Sequence, residues 1–214
     1  MQQAQAAPEK GAISTLREAL LQAQRQGLAR LDAHMLLLHS LGRSQHDRAW
    51  LLAHDDDALP ADTLVRYQAL CQQRAAGVPL AYLTGHKQFY GLELAVDARV
   101  LDPRPDTETL VDWALEVLQP WHAPRVADLG TGSGAIALAL QHQRPDALVL
   151  AVDASPDALA VAQANARRLG LPVHFVRSHW LAGVAGPFEA IVSNPPYIRS
   201  DDPHLAALTH EPLS

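Results

Sequence analysis

Asn194-Pro195-Pro196-Tyr197 is the tetrapeptide of this chain whose residue types most directly suggest chemistry. It follows Ala190-Ile191-Val192, a short apolar run that reads as a buried strand. Proline cannot donate to a sheet ladder, so two in succession end the strand at once. One amide, a rigid bend and an aromatic ring are thereby set at the strand's carboxyl end, where open α/β sheets bind ligands. The fixed φ limits how the Asn194 carbonyl, the Ser193 and Asn194 backbone and the Tyr197 ring can point, which suits a site holding a planar NH2 group. The bland alternative is that Asn194 caps a turn and Tyr197 packs in a core.

A second constellation lies upstream. Asp128-Leu129-Gly130-Thr131-Gly132-Ser133-Gly134-Ala135 runs from an expected strand straight into an expected helix. Glycines let a ligand approach the backbone, and the helix N-terminus adds unpaired N–H groups. Asp153 ends the next strand, 23 residues after Gly130, where its carboxylate can accept from two ribose hydroxyls. Gly130, Gly132 and Ala135 also satisfy the dinucleotide fingerprint, so a nicotinamide cofactor is a legitimate reading of this loop. Two features tip the balance away from it. Asp128 stands where it would contact a charged amino-acid moiety, and no dehydrogenase needs Asn-Pro-Pro-Tyr.

Those residues must be positioned by the text around them. Residues 11 to about 84 read as successive helices, with Ile13, Leu16, Leu20 and Ala23 on one face and Leu31, Met35 and Leu38 on another. Gly27, Gly42 and Gly77 punctuate them, and Pro60 stands where a helix ahead of Leu64, Tyr67 and Leu70 begins. Asp55-Asp56-Asp57 reads as a solvated loop. Leu92, Leu94 and Val96 alternate, Asp97-Ala98-Arg99 turns and Val100-Leu101 resumes, which predicts a hairpin between two domains. Asp106, after Pro103-Arg104-Pro105, is placed to cap a helix carrying Leu110, Ala114 and Val117. Strands are expected at 125–129, 148–153, 173–177 and 190–193, with helices at 134–143 and 157–169. That alternation predicts a parallel, doubly wound sheet.

Composition narrows the classes. The 214 residues are 48% hydrophobic, enough for a core, and no window approaches the 18 or so apolar residues of a membrane span. The formal charge of −6 opposes sequence-independent affinity for nucleic acid, which rests on Lys and Arg. A single cysteine, Cys71, and no secretory pattern at the N-terminus fit the cytoplasm. The eleven histidines show no metal-ligand spacing, so no metal is expected.

Taken together, these residues resemble the S-adenosylmethionine-dependent methyltransferases, and more narrowly the HemK/PrmC family, the release factor glutamine methyltransferases. The segments Arg30–Ala33, Pro79–Gly85, Phe89-Tyr90-Gly91 and Pro103-Arg104-Pro105-Asp106-Thr107-Glu108 fit that family in order, as do the glycine loop, Asp153, Trp180 and Asn194–Tyr197. Pro103–Glu108 is the most discriminating, because DNA methyltransferases sharing Asn-Pro-Pro-Tyr generally lack it. The resemblance implies an α/β chain: a small helical bundle (1–85) that recognises a protein substrate, a β-hairpin linker (86–102), and a Rossmann-like methyltransferase domain (103–214).

It also implies methylation of the side-chain N5 of the glutamine in the Gly-Gly-Gln motif of class 1 peptide release factors. In that reading S-adenosylmethionine, leaving as S-adenosylhomocysteine, is held by Asp128, Gly130, Thr131, Gly132, Ser133, Gly134, Asp153, Trp180 and Asn194. Asn194, Pro195, Pro196 and Tyr197 hold the acceptor amide, with Asn194, Pro195 and Tyr197 catalytic. By itself a tryptophan such as Trp180 more often packs in a core. His179 stands where an acid is common in the family, and Arg104 and Glu108 read as ordering their loop. The protein is expected to be a monomer contacting neither membrane nor nucleic acid.

The alternatives are a ribosomal-protein glutamine methyltransferase, an adenine-N6 or cytosine-N4 methyltransferase of nucleic acid, and an inactive cofactor-binding fragment. The last arises because 20 residues (214 − 194) follow Asn194. At roughly 5–6 residues per strand and 11–12 per helix, they do not supply the further strands the resemblance implies. The expectation is a domain incomplete at its C-terminal side, less stable and less active alone than a longer relative.

Overall fold

The computed structural model describes residues 15–195 and 209–212, which fall into two compact units, Met1–Thr84 and Gly85–Ser214. Ile13, Pro196 and Tyr197 lie outside the described residues.

Among its described residues the first unit holds five helices: α1 (Leu16–Arg25), α2 (Arg30–Ser40), α3 (Arg48–Ala53), α4 (Ala61–Ala75) and α5 (Leu80–Thr84). Helix α1 starts at a capping box, in which the Thr15 hydroxyl accepts from Glu18 N–H and the Glu18 carboxylate accepts from Thr15 N–H. Its Leu16, Ala19, Leu20 and Ala23 are buried at helical spacing. In α2 the buried set is Ala33, His34, Leu36, Leu37, Leu38 and Ser40, whereas Leu31, expected on the apolar face, is half exposed. Buried Tyr67 and Cys71 from α4 close the same core.

The acidic run Asp55-Asp56-Asp57 does more than face water. Its Asp57 and Asp55 carbonyls accept from Leu16 N–H (3.1 Å) and Arg17 N–H (2.8 Å), orphan donors at the start of α1. The Arg17 guanidinium reaches Asp55 and Asp56 at 2.8 and 2.9 Å, but its exposure keeps those pairs weak. His34 is buried, and burial first, then Arg30 and Arg48, holds its pKa below the ordinary imidazole value. The His54 ring stacks on Trp50, its Nδ1 2.8 Å from the Trp50 carbonyl.

The second unit opens with a hairpin of β1 (His86–Phe89) and β2 (Leu92–Ala95), registered Phe89 opposite Leu92. This corrects the expected pairing by one strand. Asp97–Arg99 does turn, through Val100 N–H to the Asp97 carbonyl, but Val100-Leu101 forms no strand. His86-Lys87-Gln88 carries no apolar alternation to reveal β1, and the turn at Tyr90-Gly91 has φ of 49° and 77°. Positive φ at both central residues is the hairpin-compatible geometry, and only Gly91 hints at it. The hairpin lies within the second unit, which begins at Gly85.

A single 3₁₀ turn, Pro105–Thr107, leads into α6 (Glu108–Leu118). Asp106 makes no cap; it lies inside that turn, and α6 has Thr107 at its N-cap with no side-chain cap bond. The Glu108 carboxylate turns instead to Tyr90 N–H, 2.8 Å away, and holds the hairpin turn.

Then β and α alternate: β3 (Arg125–Leu129), α7 (Ala135–Gln143), β4 (Leu148–Asp153), α8 (Pro156–Leu169), β5 (His174–Arg177) and β6 (Ala190–Ser193). The sheet order is β5-β4-β3-β6 and every neighbour pair is parallel. Helix α7 is buried from Ala135 through Gln141, as its six apolar residues Ala135–Leu140 require. The chain leaves β3 toward β4 on one side and returns as β6 on the other. This reversal of order opens a crevice at the strands' carboxyl ends. Among the described residues no helix is long and apolar enough to cross a membrane.

Candidate functional site

Register decides what meets in that crevice. Asp153 pairs with Arg177 and Leu129 with Ser193, so the segments following β5, β4, β3 and β6 leave the sheet side by side. They enclose a cavity of about 270 Å³, near the small end of ligand pockets. In sheet order its wall runs from Ser178–Trp180, past Asp153 and Gly130–Ser133, to Asn194 and Pro195.

The glycine loop forms the floor. Gly130 and Thr131 N–H both donate to the Val152 carbonyl, at 2.8 and 3.0 Å, which pins the loop onto β4. No heavy atom lies within 4 Å of where a Cβ on Gly130 or Gly132 would stand, so the space beside them is open. Gly134 differs. A Cβ there would stand 3.0 Å from Leu138 Cδ1 and 3.2 Å from Ala162 Cβ, so this glycine serves the packing of α7 against α8.

Asp128 does not line the cavity. It is fully buried, its Oδ2 accepting from the Thr131 hydroxyl (2.6 Å) and Ala137 N–H (3.1 Å), while Oδ1 has no partner. It therefore ties the loop to the first turn of α7, because its strand position points it under the loop. Burial, with a smaller push from the Asp153 charge, raises its pKa to about 6 despite those two hydrogen bonds. An unfolded carboxyl titrates near 3.9. Between about pH 4 and 6 the folded chain therefore holds a proton that the unfolded chain has lost. Stability from this site is full below that window and is lost as pH rises through 6, a change on the order of 3 kcal/mol. Chemical denaturation of wild type and Asp128→Asn at pH 4.5 and 7 checks this: wild type loses ground to the variant on going to pH 7. A difference that does not move with pH overturns it.

Asp153 sits on the cavity wall. Its Oδ2 accepts from Gly132 N–H and its Oδ1 from Ser155 N–H, both at 2.9 Å. The carboxylate thus braces the loop, and each oxygen keeps a lone pair. Trp180 is 60% exposed and lines the cavity, so it is not a core residue. Its φ of 52° is unusual for a bulky side chain and costs about 1–3 kcal/mol. The turn that imposes it is closed by Ser178 Oγ–H to the Ala182 carbonyl (2.6 Å) and Ala182 N–H to the His179 carbonyl (3.1 Å). His179 is exposed on the same wall.

At the far end Asn194 Nδ2 donates to Thr107 Oγ1 at 2.8 Å. Its amide oxygen is then the group left to accept a hydrogen from a ligand. Ser193 Oγ–H donates to the Leu129 carbonyl (2.7 Å), fastening the end of β6 to β3 just before it.

Two supporting residues have no signature in the linear text. Asn165, fully buried on α8, exchanges bonds with Ala95 N–H and C=O at 2.8 and 2.9 Å and donates to the Ser133 carbonyl at 3.0 Å. One side chain thereby joins the hairpin to the glycine loop. Buried Glu211 accepts from Asp102 N–H (3.3 Å) and from the Arg104 guanidinium (2.5 Å), the latter on the cavity wall. Arg104 and Glu108 both order their segment, as their sequence position suggests. Among the described residues no three His, Cys, Asp or Glu side chains come together as metal ligands.

A nucleoside carrying a cationic tail suits this lining. The floor is open at Gly130 and Gly132, a carboxylate stands beside it, and an exposed indole offers a flat face at the β5 end.

Comparison with known proteins agrees over nearly the whole chain. A family model described as the PrmC N-terminal domain matches residues 12–85, and one described as the methyltransferase small domain matches 107–211. The release factor glutamine methyltransferase of Xylella fastidiosa (strain Temecula1) is 49% identical over 200 residues, 92% of this chain and 72% of that protein. The protein of the same name from Escherichia coli (strain K12) is 45% identical over 203 residues, 93% of this chain and 72% of its own. Among solved structures, the ribosomal protein L11 methylase of Lactobacillus delbrueckii subsp. bulgaricus is 32% identical, covers 46% of this chain and 52% of its own, and superposes with a TM-score of 0.38.

Proposed function

The chain belongs to the release factor glutamine methyltransferase family, and from that premise we propose how its own residues methylate the side-chain N5 of glutamine in the Gly-Gly-Gln motif of class 1 peptide release factors. The observation that carries the reading is the Asn194 amide, held by Thr107 with its oxygen available, in the same cavity as the glycine loop and Asp153.

S-adenosylmethionine supplies an electrophilic methyl group on a sulfonium. Gly130 to Ser133 would lie along it, Asp153 would accept from its ribose hydroxyls, and Trp180 would cover its adenine. Gly134 and Asp128 would hold the loop in shape.

A glutamine amide nitrogen is a weak nucleophile, because its lone pair is shared with the carbonyl. Asn194 Oδ1 and the Pro195 carbonyl would accept its two N–H bonds, orient it, and favour the positive charge that grows on it as the N–C bond forms. Orientation of this kind is worth up to roughly 7–11 kcal/mol. After transfer the nitrogen is acidic and loses its extra proton to water, so no side chain need act as a strong base. Pro196 and Tyr197 would complete the clamp. With such a substrate, the protein works in the cytoplasm.

The test offers release factor, a Gly-Gly-Ala release factor and DNA side by side with methyl-labelled S-adenosylmethionine. Label on the first alone is expected. Label on DNA, or equally on the glutamine-free variant, overturns the assignment.

A further inference from the structure

Resting on the cofactor reading of the glycine loop, we propose that Asn165 is a positioning residue for S-adenosylmethionine. It fixes the peptide plane between Ser133 and Gly134 and so presets the cavity floor before the cofactor arrives. The need arises at the start of α7. Ser133 is buried, and Ala137 N–H, the donor one helical turn ahead of it, is given to Asp128 Oδ2 at 3.1 Å. The Ser133 carbonyl takes its hydrogen from Asn165 Nδ2 instead, at 3.0 Å. On the other edge of the same plane, Gly134 N–H donates to the Thr131 carbonyl at 2.8 Å. The plane is thus held at both ends.

Nothing about the Asn165 amide is left to choice. Ala95 N–H and the Arg168 guanidinium can only donate, and they meet Oδ1 at 2.8 and 3.2 Å. The Ala95 and Ser133 carbonyls can only accept, and they meet Nδ2. The amide therefore pairs with Ala95 of β2 as a neighbouring strand would, and the hairpin sets the direction in which its second N–H points. Helix α8 holds the loop at a further point, because Ser155 N–H at its start donates to Asp153, whose other oxygen accepts from Gly132 N–H. Gly132 and Ser133 both line the cavity. Without Asn165 a buried carbonyl loses its donor, and the plane is free to rotate about the permissive bonds of Gly134, moving that floor.

Asn165→Ala removes every bond of the amide. Asn165→Asp keeps the shape and the acceptor for Ala95 N–H but offers the Ser133 carbonyl no hydrogen when ionised. In each, Kd for S-adenosylhomocysteine rises about tenfold at a temperature where the protein is folded, as expected for one lost hydrogen bond. Val161→Ala, a buried position on the same helix, lowers Tm and leaves Kd unchanged. In wild type without cofactor, the Gly134 amide is protected from hydrogen exchange, a measurement that needs no variant to fold. Equal Kd in wild type and the Asn165 variants overturns the proposal. So does a rise in Val161→Ala as large as theirs, or fast exchange at Gly134 in wild type. These readouts need no methyl acceptor, so label on the wrong acceptor sinks the function proposed above and leaves this inference standing. A wild type that does not bind S-adenosylhomocysteine overturns both.

Discussion

Asn194→Ala lowers kcat for glutamine methylation by about 10²–10³-fold while S-adenosylmethionine still binds. Preorganised hydrogen-bonding groups aimed at developing charge are worth about this much when removed singly. The amide sits at the end of β6, a strand paired in register with β3, and is held at its far side by Thr107. None of these groups braces the glycine loop, so truncating Asn194 leaves the loop, Asp153 and Trp180 in place. Initial rates at saturating cofactor and release factor, with cofactor affinity measured separately, check the split. A loss confined to KM for the release factor would show that Asn194 only docks the substrate.

Gly134→Ala is the counterpart on the stability side. The residue has φ of 85°, and its missing Cβ would press on Leu138 Cδ1 at 3.0 Å and Ala162 Cβ at 3.2 Å. A left-handed alanine costs about 1–2 kcal/mol and overpacking another 1–3. Alanine therefore destabilises the second unit by about 2–5 kcal/mol and lowers Tm by roughly 10 °C. Cofactor affinity falls with it, since relieving the strain shifts the backbone at 134, whose N–H closes the loop on the Thr131 carbonyl at 2.8 Å. Thermal melts and cofactor titration of the two proteins test both effects. A variant that melts with wild type would show that Leu138 gives way.

The errors of sequence reading share one cause. The hairpin was misplaced because His86-Lys87-Gln88 becomes a strand by pairing with β2, not by its own pattern. Asp106 has the residue type of a cap, but the chain coils into a 3₁₀ turn around it. Asp128 looks like a ligand contact in linear order, yet the last residues of β3 point it beneath the loop, where Thr131 and Ala137 claim it.

What the sequence determined by itself was local. Apolar runs at 125–129, 148–153 and 190–193, broken by Gly130 and Pro195, set the strands and their stops through backbone preferences that need no partner. The glycine loop, Asp153 and Asn194 were legible for the same reason, being residue types at strand ends. Tertiary structure alone decided their mutual arrangement. Parallel pairing of β3 with both β4 and β6 placed three strand ends around one cavity. Asn165, Glu211 and Thr107 acquired their roles from partners 32 to 109 residues away in the chain. A hydrogen bond depends on where two groups stand in space, and no spacing along the chain announces a partner that only folding brings near.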